Sequence, residues 1–322
     1  MLTGILYALA AGLMWGLVFV APLLLPEYPP FLLSFGRYLA FGMIALPLGW
    51  MDRKALAQLS RADWWEAVKL SAVGNLIYYL CLASALQRAG GLVPTMIIGT
   101  LPVVIAITAN VRNQKRDGRL PWRRLTPSLT LIAAGIACVN QREIASLGNG
   151  TTADLLRYAS GAALAVAALA CWTWYPLRNA DWLRAHPGRS PRAWATAQGL
   201  TTLPLALFGY AAAWIGMDFL DLPFPMPFGP RPLAFLGLMF AIGLFASWLG
   251  TLCWNEASQR LPTTLVGQLI VFETLSALSY AFMLRGKWPE PLILIGIGLL
   301  IGGVVWAARN RPEPATVGEQ TV

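Results

Sequence analysis

Two charged side chains lie within apolar stretches of this 322-residue sequence, where they could do chemistry. Glu273 stands in VGQLIVFETLSALSY and Arg37 in FLLSFGRYLAFG. A charged group facing lipid costs about 2.5–3.5 kcal/mol. We therefore expect Glu273 to face other helices, where it could carry a proton or cation, contact an amine, or bond to a neighbour such as Arg37. Arg37 could bind a carboxylate through paired hydrogen bonds or reach the membrane interface.

A stripe of polar side chains occurs twice, with residue numbers that differ by 172. Asn75 and Tyr79 are spaced i, i+4 and therefore share a helix face. Ser247 and Thr251 stand at the equivalent positions with the same spacing. Both stripes could line a cavity between two halves of the protein. Alternatively, their members could bond to neighbouring helices, as polar groups in membrane bundles commonly do.

Tryptophans fall into two groups along the chain. Eight of the 14 lie near the ends of apolar runs, as in the aromatic belt at a membrane interface. Trp15 and Trp172 instead lie within runs at equivalent positions of a repeat, and Trp248 lies beside the second polar stripe. These three could line a cavity for flat or apolar ligands or pack in the core.

Composition identifies the elements that must position these residues. The chain is 57% hydrophobic and 12% charged, whereas soluble domains carry about 25% charged residues. This composition predicts an all-α polytopic membrane protein. The net charge of +9 resides in short loops between apolar runs, so we expect no nucleic-acid partner. One histidine, four scattered cysteines and the lack of nucleotide or metal motifs predict no cofactor, no metal and no catalytic residues.

Ten runs are long enough to span a membrane as helices, which need about 20 residues. They are residues 3–25, 31–50, 66–86, 92–111, 126–141, 156–177, 193–215, 232–254, 262–284 and 290–308. Lysine and arginine residues divide 17 to 6 between alternate sets of loops. The positive-inside rule therefore predicts that both termini are cytoplasmic.

Internal similarity divides the ten predicted helices into two groups of five. Besides the 172-residue offset, Trp15 aligns with Trp172, and Leu46-Pro47-Leu48 with Leu203-Pro204-Leu205, at a second shared offset. Because five is odd, the second half enters the membrane from the opposite side, which predicts an inverted repeat. The predicted units are residues 1–145, residues 146–308 and a cytoplasmic tail, 309–322.

The chain resembles the drug/metabolite transporter superfamily, of the EamA type. Trp15 and Arg37 fit the first two helices of that pattern, Glu273 fits the glutamate of its Glu-Pro pair, and Pro102 fits the proline in the other half. The resemblance implies secondary transport of small organic solutes, most often amino-acid export. It also implies a central cavity lined by predicted helices 1, 3, 4, 6, 8 and 9. The implied lining residues are Trp15, Asn75, Tyr79, Thr100, Trp172, Trp248, Thr251, Gln268 and Glu273.

These observations predict an exporter of a small metabolite in the inner membrane that works by alternating access. Its expected partners are the small-molecule substrate, the lipid bilayer and a coupling proton or cation. A homodimer is left open, because Gly296, Gly298, Gly302 and Gly303 could pack a partner helix or pack within the bundle. The alternatives are a lipid-modifying membrane enzyme, a scaffold without transport, and a channel.

Overall fold

The computed structural model describes residues 1–89, 97–112, 121–139, 152–220, 223–286, 288 and 290–309. Within these ranges the chain is helical and contains no strand. The α-helices, in order, are α1 (Leu2–Gly16), α2 (Val20–Leu24), α3 (Pro30–Met51), α4 (Arg53–Leu56), α5 (Arg61–Leu70), α6 (Tyr78–Ala89), α7 (Leu101–Arg112), α8 (Trp122–Val139), α9 (Thr152–Ala185), α10 (Pro191–Phe219), α11 (Pro232–Ile242), α12 (Gly250–Arg260), α13 (Thr263–Leu269), α14 (Val271–Arg285) and α15 (Pro291–Arg309).

Several helical stretches are long and apolar enough to cross a membrane. The five strongest are Pro30–Met51, Leu156–Ala185, Pro191–Phe219, Pro232–Arg260 and Thr263–Leu284, and shorter apolar helices are Leu2–Gly16, Leu101–Arg112 and Pro291–Gly303. The chain is therefore an all-helical membrane protein. Ten spans in two inverted repeats stay a prediction. The predicted division near residue 145 and the tail after residue 309 lie outside the described residues.

Sequence signals at the helix ends match the observed bounds. Helix α5 begins with a capping box in which Ser60 and Asp63 each bond the other's backbone N–H, which satisfies two free donors of the first turn. Helices α3, α10 and α11 each carry proline in the first turn. The backbone N–H that proline lacks would have no hydrogen-bond partner within the helix at that position. Helix α14 ends at Gly286, whose φ of 61° suits glycine best.

The helices run between two ends of the bundle, which are named here by their loops. The N-terminal end holds residues 52–60, 186–190 and 261–262, and a Cβ on Gly4 would lie 2.8 Å from Leu261. The opposite end holds residues 25–29 and 223–231, where the Tyr28 hydroxyl donates to the Phe228 carbonyl at 2.8 Å.

Two seven-residue π-helical segments interrupt the bundle at matched places. They are the first π segment, Ser71–Ile77, and the second π segment, Gly243–Leu249. Their residue numbers differ by the same 172 that relates the two polar stripes. Asn75 lies in the first segment and Ser247 in the second. π segments are rare overall, but those that occur are often found at functional sites. The matched pair therefore supports a functional role for both polar stripes.

Small residues bring helix α1 against the helix that carries Glu273. A Cβ added at Gly12 would lie 3.0 Å from the Glu273 backbone nitrogen, and one at Gly16 would lie 2.6 Å from the Ser276 Cβ. The two backbones are therefore in direct contact, as small residues allow in membrane bundles. This contact places Trp15 and Glu273 in the same central region.

The glycines of α15 divide between two surroundings. A Cβ on Gly303 would lie 2.7 Å from Ile132 Cγ1, and the Gly296 carbonyl lies against Gly135, so these two glycines pack on α8. A Cβ on Gly298 or Gly302 would meet nothing within 4 Å. The homodimer therefore stays a prediction for the open side of this helix.

Candidate functional site

A cavity lies between the helices near the opposite end of the bundle. Its lining residues are Val18, Ala21, Leu33, Ser34, Arg37, Tyr79, Met239 and Ile242. They belong to the chain between α1 and α2 and to helices α2, α3, α6 and α11. The space inside it is about 10 Å³, which is room for about one water molecule and far below the roughly 300–1,000 Å³ of most small-molecule sites. The structure therefore shows a nearly closed cavity.

Arg37 turns into the bundle rather than to the membrane interface. Its Nε donates to Ser247 Oγ at 2.9 Å, which links α3 to the second π segment. The guanidinium carbon lies 4.9 Å from the centre of the Tyr38 ring. The terminal nitrogens have no hydrogen-bond partner among the described residues. Arg37 is thus fixed through its Nε, and its two terminal nitrogens are free to donate beside the cavity.

Two hydroxyl groups of the cavity wall are also without partners in the described part of the chain. Ser34 is 2% exposed, and its Oγ forms no hydrogen bond. Tyr79 is half-buried, and its hydroxyl forms none either. Buried polar groups are usually bonded, so these hydroxyls are available to a ligand.

Glu273 lies near Arg37 but forms no ion pair with it. It is close enough to interact electrostatically with Arg37 and Tyr78. It forms no ion pair and no side-chain hydrogen bond with the residues that the structure describes. The same residues include no group of three histidine, cysteine, aspartate or glutamate side chains that could hold a metal ion. Glu273 is thus a single carboxyl group that can respond to a cation, an amine or a proton.

Five aromatic side chains form the centre of the bundle and are called the aromatic cluster: Trp15, Tyr78, Trp172, Tyr175 and Trp254. Trp172 stacks on Tyr78 and Tyr175, with ring centres 4.6 and 5.3 Å away. Trp15 lies 5.7 Å from Trp172 and 4.9 Å from Trp254. The indole nitrogens of Trp172 and Trp254 are buried without a partner in the described residues. The cluster offers flat apolar faces and two unused donors.

A network of side-chain hydrogen bonds lies between the aromatic cluster and the N-terminal end. Asn179 Oδ1 accepts from Trp194 Nε1 at 2.8 Å and from Gln198 Nε2 at 3.2 Å. Asn179 Nδ2 donates to Asn255 Oδ1 at 2.8 Å, and the Tyr175 hydroxyl donates to Gln198 Oε1 at 2.8 Å. These five residues, called the polar network, join α9, α10 and α12.

Ion pairs surround the polar network at the N-terminal end. They are Arg178 with Glu66 through both carboxylate oxygens, Lys69 with Glu66 at 2.5 Å, Arg112 with Asp181 at 2.7 Å, and Arg192 with Asp52 at 3.1 Å. Apart from the Lys69 pair, each joins the first half of the sequence to the second. The two predicted halves are therefore tied together here by charge.

Asp63 belongs to the same end and lies outside the membrane-spanning runs. Its Oδ1 accepts from Trp182 Nε1 at 2.8 Å and lies 3.7 Å from His186 Nε2. Burial alone would raise the pKa of the Asp63 carboxyl. Hydrogen bonds from the Ser60 backbone, Trp182 and the Ser60 hydroxyl, with the nearby His186, outweigh burial and lower the pKa below its usual value.

The remaining predicted site residues are mostly bonded to neighbouring helices. Asn75 donates to Thr202 at 3.1 Å, Trp248 to Thr196 at 3.2 Å, and Gln268 to Ser128 at 3.0 Å. Thr251 is buried beside Tyr175. Thr100 is exposed, and its hydroxyl donates to the Ile97 carbonyl at 2.7 Å. The structure thus brings together Trp15, Arg37, Tyr79, Trp172, Thr251 and Glu273, and leaves Thr100 apart.

Sequence reasoning missed several residues of this region. Ser34 stands one turn before Arg37, and Tyr175 stands one turn after Trp172. The i, i+3 spacing that links residues on one helix face could have found both. Gln198 is a polar residue within the run 193–215 and is detectable in the same way as Asn75, whereas Asn179 lies just beyond the end of the run 156–177.

Comparison with known proteins agrees with this architecture. The sequence profile of the EamA-like transporter family matches residues 2–141. Inner membrane protein YtfF of Escherichia coli (strain K12) is 55% identical over 314 residues, which cover 97% of each chain. A solved crystal structure with 19% identity covers 94% of this chain and 96% of its own with a TM-score of 0.69, which bears on the fold alone.

Proposed function

Because this chain belongs to the EamA-like transporter family, we propose that it is a secondary transporter that exports a small organic metabolite, such as an amino acid, across the inner membrane. The family is one of transporters, and the relative is named an inner membrane protein, which together support a membrane transporter. The localisation follows the relative, which is named an inner membrane protein. The chemical class of the substrate and the outward direction of transport are proposed here.

One observation carries the proposal: polar groups with unused bonding capacity from both predicted halves lie close together, two in the cavity wall and one near Arg37. Arg37 and Tyr79 come from the first half, and Glu273 from the second. Among the described residues none of the three uses its full bonding capacity within the protein. Intramembrane polar groups mark substrate or ion paths in transporters, and substrate sites lie between repeats near the membrane midplane.

Alternating access explains the difference between the two ends of the bundle. The polar network and ion pairs close the N-terminal end, which the positive-inside count predicts to be cytoplasmic. In this proposal the structure is a conformation closed to the cytoplasm. The matched π segments support two similar halves that could exchange roles and open the cavity to the other side.

Glu273 is the proposed coupling residue. In its present place it can hold a proton or cation while the cavity is empty, or contact an amine of the substrate. A membrane enzyme would need a reactive group beside its acid. The family instead favours transport.

A binding screen followed by a transport assay tests the proposal. The purified protein is screened by thermal shift at two pH values against amino acids, amines, nucleosides and sugars, since a bound ligand raises the melting temperature. Each hit is then tested for counterflow in proteoliposomes. We expect counterflow of at least one hit, and its loss or altered pH dependence in Glu273→Gln. Binding without counterflow would favour a scaffold or receptor.

A further inference from the structure

Arg37 presents unused donors to the cavity. Its guanidinium carries five N–H donors in a planar fork, and only Nε is bonded among the described residues, to Ser247 at 2.9 Å. That bond fixes the fork at its base while both terminal nitrogens stay available. A planar fork fits the two oxygens of one carboxylate.

Ser34 gives a second and independent observation. Its hydroxyl is buried in the wall of the same cavity and has no partner in the described chain. An unsatisfied buried hydroxyl costs about 1–3 kcal/mol. A helical serine can avoid this cost by bonding to the carbonyl four residues earlier, and Ser34 does not. A ligand that bonds to Ser34 would account for this otherwise unfavourable arrangement.

We infer that this cavity binds the carboxylate group of the transported solute. The Arg37 fork donates to both carboxylate oxygens, and the hydroxyls of Ser34 and Tyr79 donate to the same oxygens. This inference rests on the proposed function and sharpens it, because it names the chemical class of the substrate. The remainder of the solute lies toward the aromatic cluster or the cavity mouth.

The charges of the site favour a carboxylate over a phosphate. Arg37 is the one charged side chain among the described residues that line the cavity. Its single positive charge matches a monoanion, whereas a bound phosphate dianion would leave one negative charge uncompensated in the cavity. Glu273 interacts with Arg37 and in its ionised form would repel a second negative charge more strongly.

Matched probe pairs test the inference on the purified full-length protein. Acetate, benzoate and phenylalanine are each compared with their own amides, and inorganic phosphate is the alternative anion. We expect each carboxylate to raise the melting temperature and its amide to have no effect. Arg37→Gln should weaken carboxylate binding at least tenfold. Arg37→Lys keeps the charge without the fork, so its binding should be intermediate.

Ser34→Ala separates a binding role from a structural one. Since Ser34 has no partner, replacing its hydroxyl with hydrogen should leave the unliganded melting temperature unchanged or raise it. Carboxylate binding should nevertheless weaken several-fold. The matched control is Arg53→Gln at the N-terminal end, where Arg53 bonds to the Trp50 carbonyl; carboxylate binding should not change.

Three results would overturn the inference: amides that bind as tightly as carboxylates, phosphate that binds in their place, or unchanged carboxylate binding in Arg37→Gln. The failure of the wider proposal looks different. Carboxylate binding that depends on Arg37 without counterflow would keep the site and reject transport. Counterflow of a solute without a carboxylate, unchanged in Arg37→Gln, would keep transport and reject this site.

Discussion

The two ends of the bundle are held together by different chemistry. At the N-terminal end, ion pairs between helices join the predicted halves, and a network of buried amides lies beside them within the second half. At the opposite end, the polar ties lie in the loops: Tyr28 bonds to Phe228 and Arg231, and Arg231 pairs with Glu27. Below those loops the cavity separates the helices.

This difference shows which end resists opening. Separating the N-terminal end would leave several buried donors and acceptors without partners, and each would cost about 1–3 kcal/mol. Separating the opposite end requires the loss of a few loop contacts and of apolar packing. A transporter must pass through both states, so the conformation closed at the N-terminal end is the one that these contacts stabilise.

The largest predicted effect comes from the centre of the polar network. Asn179→Ala removes the partner of Trp194, Gln198 and Asn255 at once, so we expect a loss of about 3 kcal/mol in the free energy of unfolding. Denaturant unfolding in detergent measures it. Asn75→Ala is the control, because Asn75 makes one bond, to Thr202, and should lose about 1 kcal/mol. Equal losses would contradict the central place of Asn179.

Close packing beside the first π segment gives the next effect. A Cβ on Gly74 would overlap the Tyr175 ring, so Gly74→Ala should lower stability by about 2 kcal/mol through overpacking. Gly237→Ala is the control, because its Cβ would meet nothing within 4 Å. The melting temperatures of the two variants are compared with that of the wild type. An unchanged melting temperature in Gly74→Ala would show that the space between Gly74 and Tyr175 can hold a methyl group.

At the opposite end the expected loss is smaller. Tyr28→Phe removes one bond to the Phe228 carbonyl and one from the Arg231 amide, both part-buried in the loops, and should cost about 1 kcal/mol. Tyr79→Phe removes a hydroxyl that has no partner among the described residues and should cost nothing. If Tyr28→Phe destabilised the protein as much as Asn179→Ala, the polar contacts at the two ends would contribute equally to the free energy of unfolding.

Acid should weaken the N-terminal end through Asp63. The pKa of Asp63 is lower in the folded protein than in the unfolded chain, where it is about 3.9. Its contribution to stability is therefore complete above the unfolded pKa and is lost as the pH falls through the folded pKa. Stability measured between pH 6 and pH 3 should fall less steeply in Asp63→Asn than in the wild type. Parallel curves would exclude this contribution.

The sequence predicted the helical class from composition, and the cost of charge in lipid singled out Arg37 and Glu273 as candidate site residues, which stay a prediction. The match between the π segments and the 172-residue offset was not predictable, because π geometry has no simple residue signature. The polar network was also missed. Asn179 and Gln198 are 19 residues apart on different helices, and single-helix spacing cannot show such a contact. Thr100 is exposed in the structure, and single-helix spacing cannot show this either, since only the packed bundle determines which face is covered.

Distances between labels at the two ends test the account most directly. In a cysteine-free background, Lys54→Cys with Gly188→Cys reports the N-terminal end, and Pro26→Cys with Gly216→Cys reports the opposite end. Electron paramagnetic resonance gives both distance distributions in lipid nanodiscs, with and without Glu66→Gln, which weakens the ion pair between Glu66 of the first half and Arg178 of the second. We predict that Glu66→Gln adds a longer distance at the N-terminal end and a shorter one at the opposite end. If the variant is folded but neither distribution changes, or both lengthen together, the two ends do not alternate and the account is wrong.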